Sequence, residues 1–167
     1  MNVKECGVQD CPKSVLVLGC GNRLFGDDGF GPAAVEYLNE HYSLPDDVAA
    51  IDTGISVRNI LFDIALSEKR PKKIIIVDAV DVGKKPGEIF ELDVSQIPLQ
   101  KIDDFSMHQL PTSNLLLELK KLCAVDIKVI CAQVEDIPDS VRPGVSEALL
   151  RSLPAVCEKI LKESESS

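Results

Sequence analysis

Three acidic residues follow the two most apolar stretches of this chain. Asp27 and Asp28 lie in the segment VLVLGCGNRLFGDDGFG at 15–31, and Asp78 ends the run KIIIVD at 73–78. Carboxyl groups that converge repel each other unless a proton, a basic side chain or a metal ion relieves the repulsion. A neutral histidine would add nitrogen to the oxygen ligands, a set that suits divalent metals such as nickel or zinc. We therefore treat Asp28 and Asp78 as candidate metal ligands.

The chain has two histidines to complete such a site. His41 is predicted to close a surface helix, where a positive charge is favourable. His108 lies in a long loop at 95–110 and is the candidate ligand. Simpler roles stay open at this point. Asp28 could cap a helix, Asp78 could cap a neighbouring loop and His108 could be a surface residue, while Asp27 is expected to be solvated.

Strand and helix patterns alternate along the whole chain, which favours an α/β fold. The prediction is a three-layer sandwich with a mostly parallel, twisted sheet of about five strands and helices on both faces. Strands are expected at 15–18, 48–52, 73–77, 88–94 (an edge strand) and 127–134, and helices from 31, at 55–66, from 111 and at 145–162 with a kink or restart at Pro154. Ligands of such sheets bind beyond the carboxyl ends of the strands, where Asp28 and Asp78 are placed.

The predicted organisation is one α/β domain at 14–162 between a flexible tail at 1–13 and a solvated tail at 163–167. The net charge of −9 disfavours nucleic acid and anionic membranes as partners. No apolar run approaches the roughly 20 residues that span a bilayer, and the N-terminal segment lacks the pattern of a signal peptide. A cytoplasmic location is therefore expected.

Six scattered cysteines show no spacing typical of zinc or redox motifs, and we expect reduced thiols. Cys6 and Cys11 lie in the polar tail, where disorder is favoured over metal binding. Cys20, in the glycine loop, is the thiol closest to the candidate site. No Ser or Cys has an evident paired base, so covalent catalysis is disfavoured.

The glycine-rich turn also invites comparison with dinucleotide-binding domains. Gly19 and Gly21 supply two of the three glycines of that motif, and Asp52 could hold a ribose. The third glycine position is Leu24, however, and two carboxylates occupy the place that a pyrophosphate would need. We therefore favour a cation over a phosphate at this loop.

The motifs GCGNRLFGDDGFG, IIIVDAV, DTGIS at 52–56 and SMHQL at 106–110 together resemble the NiFe-hydrogenase maturation proteases. The resemblance extends from Ser14 to about Leu161. The DDGFG form is similar to archaeal proteases that serve deazaflavin-coenzyme-reducing hydrogenases. The implied function is a single endoproteolytic cut that removes the C-terminal extension from the hydrogenase large-subunit precursor after nickel insertion.

The resemblance implies that Asp28, Asp78 and His108 are the catalytic and nickel-binding residues. The nickel would be supplied by the substrate, and the isolated protein could hold another divalent metal. The family often has glutamate where this chain has Asp28, so the backbone must approach the metal more closely.

Weaker candidates for contact with the extension are Gly21, Asn22, Asp52 and Gly54. Asn22 could instead serve its own turn, and Asp52 could cap the following helix. A non-catalytic metal or assembly chaperone for hydrogenase remains the main alternative function.

Overall fold

A computed structural model describes residues 13–94 and 113–166 and has the predicted α/β architecture. The strands are β1 Val15–Cys20, β2 Val48–Gly54, β3 Lys73–Val80, β4 Ile89–Leu92 and β5 Asp126–Gln133. The helices are α1 Phe30–His41, α2 Val57–Leu66, α3 Ser113–Leu122 and α4 Glu147–Glu165. A short 3-10 turn, Gly26–Gly29, lies between β1 and α1. In these residues no helix is both long and apolar enough to cross a membrane.

The five strands form one sheet in the order β2-β1-β3-β5-β4. The first four are parallel, and β4 pairs antiparallel with β5 at the edge, as the prediction of an edge strand required. Every residue of β1 and β3 is buried, which explains their unbroken apolar sequences. Because four strands run in the same direction, their carboxyl ends meet at one side of the sheet, which we call the carboxyl edge.

Helices cover both faces of the sheet and make two separate hydrophobic cores. On one face, α2 and α3 pack on alternate residues of the strands; on the other, α1 and α4 do so. We call these the α2–α3 face and the α1–α4 face. Both faces of this parallel sheet carry apolar side chains, so helices that bury both faces stabilise it.

Helix α1 begins at Phe30, one residue before the predicted start, and its first turn lies directly on the sheet. A Cβ on Gly31 would lie 2.2 Å from the carbonyl oxygen of Cys20 and 2.4 Å from that of Val77. Only glycine allows this approach, which places the preceding turn against the ends of β1 and β3.

The predicted solvated tail at 163–167 is wrong for its first residues, because α4 continues to Glu165 and Pro154 does not interrupt it. Lys73, at the start of β3, is 2% exposed and explains this length. Its Nζ donates to the carbonyl oxygen of Glu163 at 2.8 Å and to Oγ of Ser166 at 3.1 Å. The buried ammonium group therefore holds the end of α4 against the side of the sheet where the parallel strands begin. The predicted N-terminal tail lies outside the described residues, except for Lys13.

Candidate functional site

Asp28 lies in the 3-10 turn beyond the end of β1 and is 5% exposed. Its Oδ2 accepts a hydrogen bond from the backbone N–H of Asn22 at 2.8 Å. Gly21 makes this contact possible: its φ is +133°, and a Cβ there would lie 1.8 Å from the carbonyl oxygen of Asp28. The residue that caps α1 is Gly29, so a helix-capping role for Asp28 is wrong.

This bond also bears on the nucleotide alternative. Backbone N–H groups of a glycine-rich turn are the donors that would bind a phosphate. Here the N–H of Asn22 is already bonded to the Asp28 carboxyl group. This donor is therefore already used by Asp28, which disfavours the nucleotide alternative.

Asp78 lies within β3, which continues to Val80, and its side chain is 6% exposed. It alternates with Ile74 and Ile76, so it points to the α2–α3 face. Its Oδ1 accepts a hydrogen bond from the N–H of Ala79 at 2.8 Å. Burial raises the pKa of Asp78 well above its ordinary value. The hydrogen bond from Ala79 opposes this rise, and the charge of Asp28, the smallest of the three effects, adds to it.

Asp28 and Asp78 are thus within electrostatic range of each other, as predicted for two acids at neighbouring strand ends. The structure brings them together by pairing β1 with β3 in parallel, with Gly19 opposite Val77. Each carboxyl group accepts a backbone hydrogen bond, which fixes its orientation. The result is a buried pair of acids in which repulsion favours a bound proton or cation.

Two thiols flank Asp78 on the same face of the sheet. Cys20 ends β1, and Cys131 is the residue of β5 opposite Asp78. Burial raises the pKa of both thiols well above the ordinary value, and the charge of Asp78 is the next largest cause. Neutral thiols are poor nucleophiles, which agrees with the expectation against covalent catalysis.

The position of Cys131 beside the site was not predicted from sequence. Alternation along a strand indicates which residues share one face of the sheet. Only the register between β3 and β5 shows that Asp78 and Cys131 lie opposite each other.

Asp27 was expected to be solvated, and this prediction is wrong. Its side chain is 1% exposed and accepts four hydrogen bonds. All four donors belong to Glu135, Asp136 and Ser146, in the segment between β5 and α4. The adjacency of two acids in one tight turn indicates that their side chains point in different directions. No local sequence signal identifies the distant partners of Asp27.

The four weaker candidates lie together where β1 and β2 end. The N–H of Gly21 donates to the carbonyl oxygen of Gly54 at 3.0 Å. Asn22 serves its own turn as expected, because its Oδ1 accepts from the N–H of Leu24 at 2.9 Å. Their contact with a substrate stays a prediction.

Asp52 does not cap α2, contrary to one expectation, since the N-cap residue is Ser56. Its Oδ1 instead accepts from the N–H of Gly54 at 2.9 Å, and its Oδ2 lies 3.3 Å from Nη2 of Arg23. These contacts orient Asp52 beside the Asp28 loop.

The predicted third ligand, His108, lies outside the described residues. Within the ranges 13–94 and 113–166, no group of three or more His, Cys, Asp or Glu side chains is placed to hold a metal ion. His41 is the last residue of α1, as predicted, where its ring stacks on Tyr37. Asp28 and Asp78 are the two members of the predicted ligand set that lie within the described residues, and their role as ligands stays a prediction.

Comparison with known proteins identifies the family. The family model described as hydrogenase maturation protease matches residues 32–163. The chain is 35% identical over 153 residues to the coenzyme F420 hydrogenase subunit delta of Methanothermobacter thermautotrophicus, covering 89% of this chain and 93% of that protein. F420 is a deazaflavin coenzyme, so the predicted resemblance to this archaeal type is confirmed.

Solved structures agree with this result. The hydrogenase maturating endopeptidase HybD from Escherichia coli matches with a TM-score of 0.69 and 29% identity, over 91% of this chain and 92% of that one. The [NiFe] hydrogenase maturation protease HycI from Thermococcus kodakarensis KOD1 matches with a TM-score of 0.68 and 26% identity, over 96% and 97% of the two chains. The sheet and helices described above are those of a protease, and the chain belongs to the hydrogenase maturation protease family.

Proposed function

We propose that this protease removes the C-terminal extension of a NiFe-hydrogenase large-subunit precursor after nickel insertion, and that Asp28, Asp78 and His108 recognise the nickel carried by that substrate. The observation that supports this most is the buried, electrostatically coupled pair Asp28 and Asp78 at the carboxyl edge. Two neighbouring carboxyl groups attract a divalent cation. A precursor that carries nickel would therefore bind at this edge better than a precursor without nickel.

The place of α3 in the fold supports the inclusion of His108. This helix begins at Ser113, a few residues after His108 in the sequence, and its residues Leu116 and Leu119 pack on the α2–α3 face. Asp78 points to the same face. A nitrogen ligand from the chain that enters α3 would complete the set.

The proposed chemistry is hydrolysis by water. A metal ion at this site would polarise the scissile carbonyl or lower the pKa of a bound water. The raised pKa of Asp78 makes its carboxylate a better proton acceptor than an ordinary aspartate once it is ionised. Burial raises the pKa of the Cys20 and Cys131 thiols, so we assign proton transfer to the two acids rather than to a thiolate.

The substrate class follows from the relatives. Because the chain resembles a protein named as a subunit of coenzyme F420 hydrogenase, we propose that the precursor belongs to a hydrogenase of that type. We further propose that the reaction takes place in the cytoplasm, without nucleic acid or membrane as partners. In the absence of substrate, the protein could hold another divalent metal at the same acids.

The decisive experiment incubates the protein with nickel-loaded and nickel-free precursor and measures product masses. Only the nickel-loaded precursor should be shortened. Asp78→Asn should abolish the cut, whereas Asp63→Asn, at an exposed position of α2, should cleave as the wild type does. Equal cleavage of both precursors would reject nickel recognition, and binding of precursor without any shortening would favour the chaperone alternative.

A further inference from the structure

The two adjacent acids of the glycine loop point to different parts of the molecule. Asp28 faces the site, where Asn22 donates to its Oδ2. Asp27 faces the segment 135–146, which connects β5 to α4. We infer that Asp27 is a positioning residue: it fixes the turn that carries Asp28 by binding that turn to this segment. The inference rests on the proposed role of Asp28.

The first support is the number and direction of the hydrogen bonds to Asp27. Its Oδ2 accepts from the N–H of Glu135 at 2.8 Å, the N–H of Asp136 at 3.2 Å and Oγ of Ser146 at 3.0 Å. Its Oδ1 accepts from the N–H of Ser146 at 2.6 Å. Bonds from several donors to one carboxylate hold its position closely, so the backbone at 27 is fixed from outside the site.

The second support is the unusual use of Ser146. This residue is the N-cap of α4, a position where a serine oxygen normally accepts a hydrogen bond from the helix's own N–H groups. Its side chain makes no capping bond and donates to Asp27 instead. The bond that would stabilise the helix end is thus used to hold the loop.

A third, separate contact joins the same two segments through their backbones. The N–H of Gly26 donates to the carbonyl oxygen of Arg142 at 2.9 Å, and the N–H of Arg142 donates to that of Leu24 at 2.8 Å. These bonds form a parallel bridge between Phe25 and Arg142. The loop before Asp28 is therefore bound to the segment 135–146 at two places. The contact made by Asp27 is the one adjacent to Asp28.

Asp27→Asn tests the inference, because an amide has one oxygen where the carboxylate has two and turns an NH₂ group toward donors. Misplacement of a reacting group by about 1 Å costs on the order of 100-fold in rate, so kcat for the precursor should fall by about that factor with KM near the wild-type value. Ser146→Ala removes only the hydroxyl bond and should give a smaller loss in the same direction.

Hydrogen exchange supplies a readout that is independent of cleavage. The amide of Asn22 is protected by its bond to Asp28, so Asp27→Asn should make it exchange about tenfold or more faster at a pH and temperature where the fold is intact. The control is Lys73→Met, at the opposite edge of the sheet, which should lower the stability of the whole molecule without selectively exposing the Asn22 amide or lowering kcat.

Wild-type exchange at Asn22 in both Asp27→Asn and Ser146→Ala would overturn the inference, as would selective loss of protection with unchanged kcat. Should Asp27→Asn fail to fold, Ser146→Ala decides by the same two measurements. If the wild-type enzyme cleaves nickel-free precursor equally well, the proposed function fails, but the exchange of Asn22 still reports whether Asp27 positions Asp28.

Discussion

The carboxyl group of Asp78 is buried near the carboxyl end of the central strand β3 and within electrostatic range of Asp28, which follows the adjacent strand β1 at the same edge. Neither acid is at the protein surface, and both accept backbone hydrogen bonds. An arrangement that buries two like charges opposes folding. Because the two acids are buried together, the free energy of unfolding is a direct probe of the site.

Asp78→Asn should stabilise the protein at neutral pH. The pKa of Asp78 is raised in the folded state, so the folded protein binds this proton more tightly than the unfolded chain does. The stabilising contribution of Asp78 is therefore complete below the ordinary Asp pKa and is lost as the pH rises through the raised, folded-state pKa. The Tm of the variant should exceed that of the wild type at pH 7, and the difference should shrink toward low pH.

Asp63→Asn is the control for this pH series, because Asp63 is exposed. Its Tm should follow the wild type across the same pH range. A Tm difference for Asp78→Asn that grows toward acid would contradict the assigned direction of the pKa shift.

Asp28→Asn should reduce the stabilising effect of Asp78→Asn in a double-mutant cycle. Burial is the largest cause of the raised Asp78 pKa, and Asp28 contributes a smaller part. The coupling free energy from urea unfolding at pH 7 should therefore have the sign of repulsion but be smaller than the effect of Asp78→Asn alone. Exact additivity would show that the two carboxyl groups do not interact.

Gly21→Ala should destabilise the protein and lower cleavage together. The new Cβ would lie 1.8 Å from the carbonyl oxygen of Asp28, at a φ of +133°, so the turn that carries Asp28 must move. Gly83→Ala is a matched control, because Gly83 also has a positive φ of +76° but no atom within 4 Å of the new Cβ. It should cost roughly 1 kcal/mol in urea unfolding and keep wild-type cleavage of nickel-loaded precursor.

Truncation before Glu163 should cost about 3 kcal/mol in the free energy of unfolding, because it removes partners of the buried Lys73 ammonium group. The remaining ion-pair partner, Asp126, is half exposed at 3.4 Å. Removal of Ser166 and Ser167 alone, which takes away one hydroxyl acceptor, should cost less than about 1 kcal/mol. Equal unfolding curves for both truncations would indicate that the end of α4 does not hold Lys73.

The sequence predicted the parallel sheet because the runs at β1 and β3 are apolar without interruption, which only a sheet covered on both faces requires. It predicted that Asp28 and Asp78 meet, since parallel strands end at one edge. These inferences use local patterns and one general rule of topology. The motifs of the glycine loop then indicated the family, which the comparisons confirm.

Residues whose partners are distant in sequence could not be assigned in this way. Asp27 has its donors at 135–146, and the lysine that begins KIIIV is buried because the end of α4 supplies acceptors for it. The sequence predicts that Asp27 is solvated, and no pattern around Lys73 predicts its burial. A burial cost that is balanced by long-range hydrogen bonds leaves no periodicity in the neighbouring residues.

The bonds of Asp27 also set an order of events during synthesis. Its four donors all come from residues 135–146, whereas the turn that carries Asp28 leaves the ribosome more than a hundred residues earlier. Domains are completed as the chain emerges, so this turn cannot take its final position while translation has not passed Ser146. The turn that carries Asp28 would thus be held in place only in a chain that already extends through Ser146.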